Sequence, residues 1–334
     1  MKIAVIGVGY WGPNIVRNLL NNKAVSGVYC FDIDRKRLRA VQAQFPTVKI
    51  VDSYEEILKD QKIKGVCIAT PASTHFHLAK MAIEHNKHLF IEKPFTVSMA
   101  EAETLFELSR KKGLKLIVDH IFMYHGAIKK IKEIIASGEI GEILYFDAVR
   151  INLGLFQHDV NVLWDLATHD ISVMLYLLNR QPKTVSAIAL GHYNTVEDIA
   201  YLTMLFGNNC IAHIHVNWLA PVKVRRILIG GSKKMILYDD METMEKIKVF
   251  DKGVEIKTKE GIYKTLVQYR TGDMYAPKFD TTEPLFLIIN EFINAIENGV
   301  EPLSNAKTGM EVVKILCAAE KSVKNNGTIV EINE

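Results

Sequence analysis

Met1-Lys2-Ile3-Ala4-Val5-Ile6-Gly7-Val8-Gly9-Tyr10-Trp11-Gly12-Pro13-Asn14 opens the chain and decides its fold. The apolar run Ile3 to Ile6 ends on Gly7, the pattern of a buried strand. Gly7, Gly9 and Gly12 then fit G-x-G-x-x-G, and from Asn14 to Leu20 the apolar residues take helical spacing. Pro13 suits the first turn of that helix. Between a strand and a helix the three glycines have separate tasks: Gly7 makes the tight turn, Gly9 lets a pyrophosphate approach the backbone, and Gly12 lets the helix pack on the strand. The free N–H groups and the positive end of the helix dipole then face the phosphates. Tyr10 and Trp11 lie inside this loop, where they either line the ligand side or pack inward. Asp32 closes the next apolar run, Val28–Phe31, at the place where a carboxylate accepts both ribose hydroxyls of an adenosine. Its charge repels a 2′-phosphate, so NAD is expected rather than NADP. The basic cluster Arg35, Lys36 and Arg37 is either a solvated helix face or a competing 2′-phosphate site.

Working outward, strands and helices alternate to about residue 120. A helix is predicted over Asp34–Gln44, and Ser53-x-x-Glu56 is a capping box opening a short helix through Leu58. A strand over Gly65–Ala69, a helix over Thr74–His85 and a strand over His88–Ile91 follow. Ser98-x-x-Glu101 caps a helix that stops at Gly113, and Leu116–Val118 is the last strand. This rhythm predicts an α/β fold: a doubly wound parallel sheet, the NAD(P)-binding Rossmann domain, over 1–120. The remainder, 121–334, is strand-rich. Extended runs are predicted over Ile143–Ile151, Thr184–Leu190, Ile199–Phe206, Cys210–Val216, Arg225–Ile229 and Met235–Tyr238. Helices are predicted over Ala127–Ala136, Val162–Leu178, Glu283–Glu297 and Ser304–Lys324, and Tyr263–Thr282 reads as an irregular loop. Alternation such as Ala212-His213-Ile214-His215-Val216 predicts a one-sided, mostly antiparallel sheet, in a domain for substrate binding and oligomerisation.

Composition narrows the function. The 334 residues carry 41 Lys+Arg against 38 Asp+Glu, a balance that argues against a nucleic-acid partner held by phosphate contacts. Apolar residues make up 49%, enough for packed cores. No apolar run approaches the ~18–20 residues of a spanning helix, and no signal-peptide pattern opens the chain. Cys30, Cys67, Cys210 and Cys317 are far apart and form no C-x-x-C pair, so a reduced, cytoplasmic protein is expected. His213 and His215 face one side of a strand and can start a metal site, but no third ligand is placed near them. No metal is expected.

Three further motifs identify a family. Thr70-Pro71-Ala72-Ser73-Thr74-His75 follows the third long strand, Glu92-Lys93-Pro94 the fourth, and Asp165-Leu166-Ala167-Thr168-His169 lies in the second half. In this order and spacing the chain resembles the glucose–fructose oxidoreductase/inositol dehydrogenase (Gfo/Idh/MocA) family over essentially its whole length. The resemblance implies a Rossmann domain followed by an α/β domain with an open, mostly antiparallel sheet. Gly9–Asn14, Asn152-Leu153-Gly154, Trp164-Asp165-Leu166 and Thr281–Leu285 are most similar to the branch acting on nucleotide sugars at the 3-position. That implies oxidation of the 3-hydroxyl of UDP-N-acetylglucosamine or a related NDP-sugar to a 3-keto sugar. The chain departs from the family in one segment: many relatives carry an Arg shortly after the last Rossmann strand, and Asp119–Tyr124 has none.

Oxidising a secondary alcohol removes a hydride from carbon and a proton from oxygen, so a base with a pKa near neutrality helps most. His169 is expected to be that base. Asp165, four residues earlier, is expected to share its helix face and to orient it or the substrate hydroxyl. Lys93, at the carboxyl edge of the sheet, is expected to stabilise alkoxide charge and contact the nicotinamide ribose; alternatively, with a lowered pKa, it is itself the base. Thr70, Pro71, His75, Glu92 and His120 are expected to join the cofactor site. Arg150, Asn152 and Asn161, with Gln157 and His158, are candidates for substrate contacts, and Arg225, Arg226 and Arg270 are rivals for a diphosphate. Other readings are an inositol or free-sugar dehydrogenase, or a catalytically inactive sugar- or dinucleotide-sensing regulator. A homodimer or homotetramer is expected, because an open sheet face is usually buried by another subunit.

Overall fold

Parallel strands alternate with helices through the first third of the chain because each apolar run is too short to bury itself and is followed by an amphipathic helix that covers it. In chain order these are β1 (Lys2–Ile6), α1 (Gly12–Leu20), β2 (Gly27–Phe31), α2 (Arg35–Gln44), β3 (Lys49–Ile50), α3 (Tyr54–Lys59), β4 (Ile63–Ile68), α4 (Ala72–Glu84), β5 (His88–Ile91), α5 (Met99–Lys111) and β6 (Leu116–Val118). The computed structural model describes residues 1–154, 156, 159–193, 196–207, 209–256 and 267–332. The chain forms two compact units, Met1–Tyr124 with Thr282–Cys317, and His125–Thr281 with Ala318–Glu334.

In the first unit the six strands are parallel in the order β3-β2-β1-β4-β5-β6. Ile3, Ala4 and Val5 of β1 are fully buried, as a central parallel strand covered on both faces requires. Ser53 and Ser98 cap α3 and α5, each side chain accepting the N–H three residues on. The unit also takes back a late segment of the chain. Helix α8, Pro284–Asn298, turns Leu285, Ile288, Ile289, Phe292 and Ile293 inward. Phe292 reaches the sheet at Gly65, where a Cβ would lie 2.9 Å from its ring. Arg17 of α1 grips Glu283 at the start of α8 through two bonds of 2.9 and 2.6 Å. The strand–helix rhythm of 1–120 did not assign this segment to the Rossmann unit; its four-residue apolar spacing is what seats it there.

The second unit begins with α6 (Gly126–Ala136), β7 (Ile143–Leu153), α7 (Thr168–Leu178), β8 (Thr184–Leu190), β9 (Ile199–Phe206) and β10 (Cys210–Asn217). It continues with β11 (Leu219–Gly231), β12 (Met235–Asp239), β13 (Ile247–Ile256) and β14 (Val267–Tyr275). After α9 (Ala306–Lys324), β15 (Val330–Glu331) adds the last strand. The nine strands run β14-β13-β12-β11-β7-β10-β9-β8-β15, all antiparallel except β7 with β10. One face, including Phe146, Ala148, Ile214, Leu202 and Ile227, is buried. On the other, Ile188, Tyr201, His215 and Val149 are register neighbours, and Tyr201 stacks on His215 with ring centroids 4.4 Å apart.

Two sequence expectations need correction here. Tyr263–Thr282 is not a loop throughout: Val267–Tyr275 is β14, paired with β13, which the sequence reading also passed over. Both strands carry many charges, and Gly272 faces Asp251 beside a register shift, so the apolar alternation that marks the inner strands is absent. The helix over Val162–Leu178 is also not one regular helix. Leu163–Ala167 is a π-helical turn leading into α7. Among the described residues no helix is long and apolar enough to cross a membrane.

Arg150 and Asp170 form a buried bidentate pair, at 2.8 and 2.9 Å, with side chains 4% and 2% exposed. Asp170→Asn is expected to cost about 3–5 kcal/mol of unfolding free energy in urea, because it strands a buried guanidinium; replacing both partners by Met and Leu is expected to cost far less.

Candidate active site

The glycine loop is built to leave room. Gly7 has φ 87°, and a Cβ there would sit 2.5 Å from the Ala69 carbonyl oxygen. At Gly12 a Cβ would sit 2.2 Å from the Gly7 carbonyl oxygen, so only glycine lets α1 start this close to β1. A Cβ at Gly9 would meet only the tip of Arg37, at 3.3 Å, which leaves the outer surface of the loop open. No side chain caps the N-terminus of α1, which starts at Gly12 and Pro13. Asp32 is 6% exposed, and its two oxygens accept the Val8 and Asp34 N–H groups at 2.8 Å each. Its carboxylate is therefore fixed beside the loop, with the Arg37 guanidinium 4.0 Å away. A cradle that Cβ atoms would fill, an uncapped helix start and a fixed carboxylate fit a dinucleotide's pyrophosphate and ribose. Tyr10 is 87% exposed on this loop. Trp11 turns inward, and its indole N–H donates to Asp119 at 3.0 Å.

Beyond β4 lie the ends of β5 and β6. Glu92 and Lys93 leave β5, and the Lys93-Pro94 peptide is cis. His75 was expected at the cofactor. It is 1% exposed, and its ring nitrogens lie 2.9 Å from the Pro94 and Thr70 carbonyl oxygens. It braces the turn after β4 against the turn after β5, a job its position at the head of α4 did not reveal. Thr70 bonds Thr74 at 2.7 Å, and Pro71 stands at the N-terminus of α4.

His120, just past β6, is 1% exposed, and both its ring nitrogens are buried without a hydrogen-bond partner among the described residues. Burial, and then the nearby Lys93 charge, push its pKa down to about 3. Glu92 is pushed well above the usual carboxyl range by burial and by Asp119 beside it, and Asp119 is itself raised by burial. Asp119 was not singled out as a functional residue from sequence. The available signal was its offset: it follows β6 as Glu92 follows β5.

The second unit holds the other expected residues. Asp165 lies in the π-helical turn, and its carboxylate accepts the Trp218 indole N–H at 3.1 Å. His169 follows in the first turn of α7, so the two are not on one regular α-helix face as expected. The wider turn arises where Asn161 accepts the Trp164 N–H at 3.2 Å and Thr168 donates back to the Trp164 carbonyl. Trp218 was a partner that spacing alone could not supply. Asn161, a substrate candidate, uses its amide on Trp164 and, at 2.8 Å, on Glu197. Arg150 is buried, and its guanidinium donates twice to Asp170 inside the unit. Asn152 lies against the Gly154 backbone. Arg225, Arg226 and Arg270 each pair with an aspartate, Asp240, Asp239 and Asp251. Gln157 and His158 lie outside the described residues. His213 bonds Thr203 at 3.2 Å, and among the described residues no three metal-ligating groups cluster.

His120 generates a pH prediction. Folded, it stays neutral to about pH 3; unfolded, it protonates near its ordinary value of 6.5. Between these values the unfolded state binds the extra proton, so stability is lost as pH falls. Subtracting His120→Asn from the native protein isolates this from the other titrating groups. In urea unfolding, the native-minus-variant difference is expected to fall by about 1.4 kcal/mol per pH unit below pH 6. A pH-independent difference contradicts the assignment.

The matches to known proteins agree with this geometry. Residues 1–120 match the family model described as "Oxidoreductase family, NAD-binding Rossmann fold", and residues 128–237 match the "GFO/IDH/MocA C-terminal domain". UDP-N-acetylglucosamine 3-dehydrogenase of Acidithiobacillus ferrooxidans is 29% identical over 232 residues, covering 69% of this chain and 71% of that protein. An NADP(+)-dependent scyllo-inositol 2-dehydrogenase of Bacillus subtilis is 24% identical, covering 98% of this chain and 95% of that protein. Among solved structures, GenD2 from gentamicin A biosynthesis in complex with NAD superposes with a TM-score of 0.84 at 21% identity, covering 100% of this chain and 97% of that one. The glycine cradle, the Glu92-Lys93-Pro94 turn and these matches lead to one conclusion: the chain belongs to the Gfo/Idh/MocA family of NAD(P)-dependent oxidoreductases.

Proposed function

We propose that this chain is a sugar dehydrogenase that oxidises the 3-hydroxyl of UDP-N-acetylglucosamine, or of a closely related nucleotide sugar, to the 3-ketone. The observation that carries the reading is the retention of proton-handling groups in both units. Lys93 stands at the carboxyl edge of β5, and His169 follows an Asp165 whose carboxylate is fixed by Trp218. A protein that only senses a ligand has no need of a base and an alkoxide-stabilising cation. The 29% identity to a UDP-N-acetylglucosamine 3-dehydrogenase supports the choice of substrate class.

Bound cofactor supplies the hydride acceptor. In this reading Lys93 donates to the substrate oxygen as charge develops on it, His169 takes the hydroxyl proton, and Asp165 orients the imidazole or the hydroxyl. Gly7, Gly9, Gly12 and Asp32 hold the adenosine diphosphate end, joined by Tyr10, Trp11, Thr70, Pro71, Glu92 and His120 toward the nicotinamide. NAD is the proposed cofactor, because the fixed Asp32 carboxylate repels a 2′-phosphate. For the assembly, Ile188, Leu190, Tyr201, Leu205, Ile211 and Leu228 stand exposed on the nine-stranded sheet, and we propose that a second copy covers that face.

Lys93→Ala and His169→Ala are each expected to lower kcat by about 10²-fold or more, with NAD affinity largely kept in His169→Ala. Near-normal turnover in either variant removes that residue from the mechanism. A panel of UDP-N-acetylglucosamine, other nucleotide sugars, free sugars and myo-inositol, with products read by NMR, is expected to give a 3-keto nucleotide sugar. Turnover of myo-inositol alone contradicts the substrate class. NAD is expected to be preferred to NADP by about tenfold or more in kcat/KM, with the preference reduced in Asp32→Ala.

A further inference from the structure

Ile91 of β5 and Val118 of β6 are register partners, so the residues just past them, Glu92 and Asp119, leave the sheet side by side. The Asp119 N–H returns to the Ile91 carbonyl at 2.8 Å, which locks that register. The two carboxyls stand side by side there, and burial, then the neighbouring Asp119 charge, pushes Glu92 well above the usual carboxyl range. The Trp11 indole donates to Asp119 Oδ2 at 3.0 Å, while Glu92 Oε1 and Asp119 Oδ1 stay buried without a partner among the described residues. Two ionised carboxylates this close have no donor between them and repel, and a single proton on the pair relieves both the repulsion and the unpartnered oxygens. The indole N–H favours the negative charge on Asp119, which leaves the proton on Glu92.

The titratable groups facing this pair come from every neighbouring strand end. Lys93 follows Glu92, and His120 follows Asp119. Cys67 of β4 and Tyr124 also face it, and burial pushes both well up in pKa, so they stay neutral. His120 is neutral as well. Among these groups Lys93 is the one lysine or arginine.

We propose that Glu92 and Asp119 share a single proton, and that the one negative charge they keep is a buried counter-ion for the Lys93 ammonium. Asp119 is then a positioning residue acting through Lys93, and this step rests on the role proposed for Lys93 above. The arrangement keeps a cation at the alcohol-binding edge without placing a second negative charge beside it, where it would oppose a developing alkoxide.

The test reads protons directly in the full-length, ligand-free protein. Infrared spectroscopy at pH 7 is expected to show the C=O stretch of a buried protonated carboxylic acid, absent in Glu92→Gln. Lys93 is then labelled with acetic anhydride across pH and followed by peptide mass spectrometry. Glu92→Gln keeps the Asp119 charge and is expected to leave the labelling curve near native. The double variant Glu92→Gln/Asp119→Asn removes the charge, so the ammonium gives up its proton at lower pH and labelling at a fixed pH rises about tenfold or more. A missing acid band at pH 7, or equal labelling in the single and double variants, overturns the proposal. If the double variant does not fold, the infrared comparison of native protein with Glu92→Gln decides alone. If both readouts behave as expected but Lys93→Ala keeps normal turnover, the proton-sharing pair stands and the proposed role of Lys93 falls.

Discussion

Lys93 leaves the end of a buried strand into surroundings where Asp119, His120 and one oxygen of Glu92 are withdrawn from water. Charge in such a place is costly unless it is balanced. The chain meets that constraint by keeping the imidazole neutral and pinning one of the two neighbouring carboxyls with the Trp11 indole. Trp11 belongs to the glycine loop, so that loop and the end of β6 are held together by one hydrogen bond. His75 adds a second tie, between the turns after β4 and β5.

The second unit answers a different constraint. Its sheet buries one face and presents Tyr201, His213 and His215 on the other, while Arg150 and Asp170 are satisfied inside. The π-helical turn before α7 sets Asp165 against Trp218 and starts α7 one residue before His169. An irregular turn of this kind often marks a functional site, because it re-aims side chains that a regular helix would place elsewhere.

Much of this was legible in the residues. The glycine loop and the strand–helix rhythm gave the Rossmann sheet, since buried parallel strands and capped helices follow from local pattern. Asp32, Lys93, Asp165 and His169 stand out as candidates because motif and context coincide. What stayed hidden depends on long-range packing. No spacing rule links Trp11 to Asp119, His75 to Pro94, or Trp218 to Asp165. Arg150 resembled a phosphate ligand because its partner Asp170 lies on a helix that follows the strand, and only the fold brings them together. The edge hairpin β13–β14 escaped notice because edge strands carry charge where inner strands carry apolar residues.

Deuterium placed on the carbinol carbon of the proposed nucleotide-sugar substrate tests the central claim, hydride transfer from that carbon, most directly. The label is expected to appear at C4 of the reduced nicotinamide, and turnover of the labelled substrate to show a primary isotope effect when the chemical step is rate-limiting. Deuterium released to water, or retained in the sugar while the cofactor becomes reduced, contradicts the account.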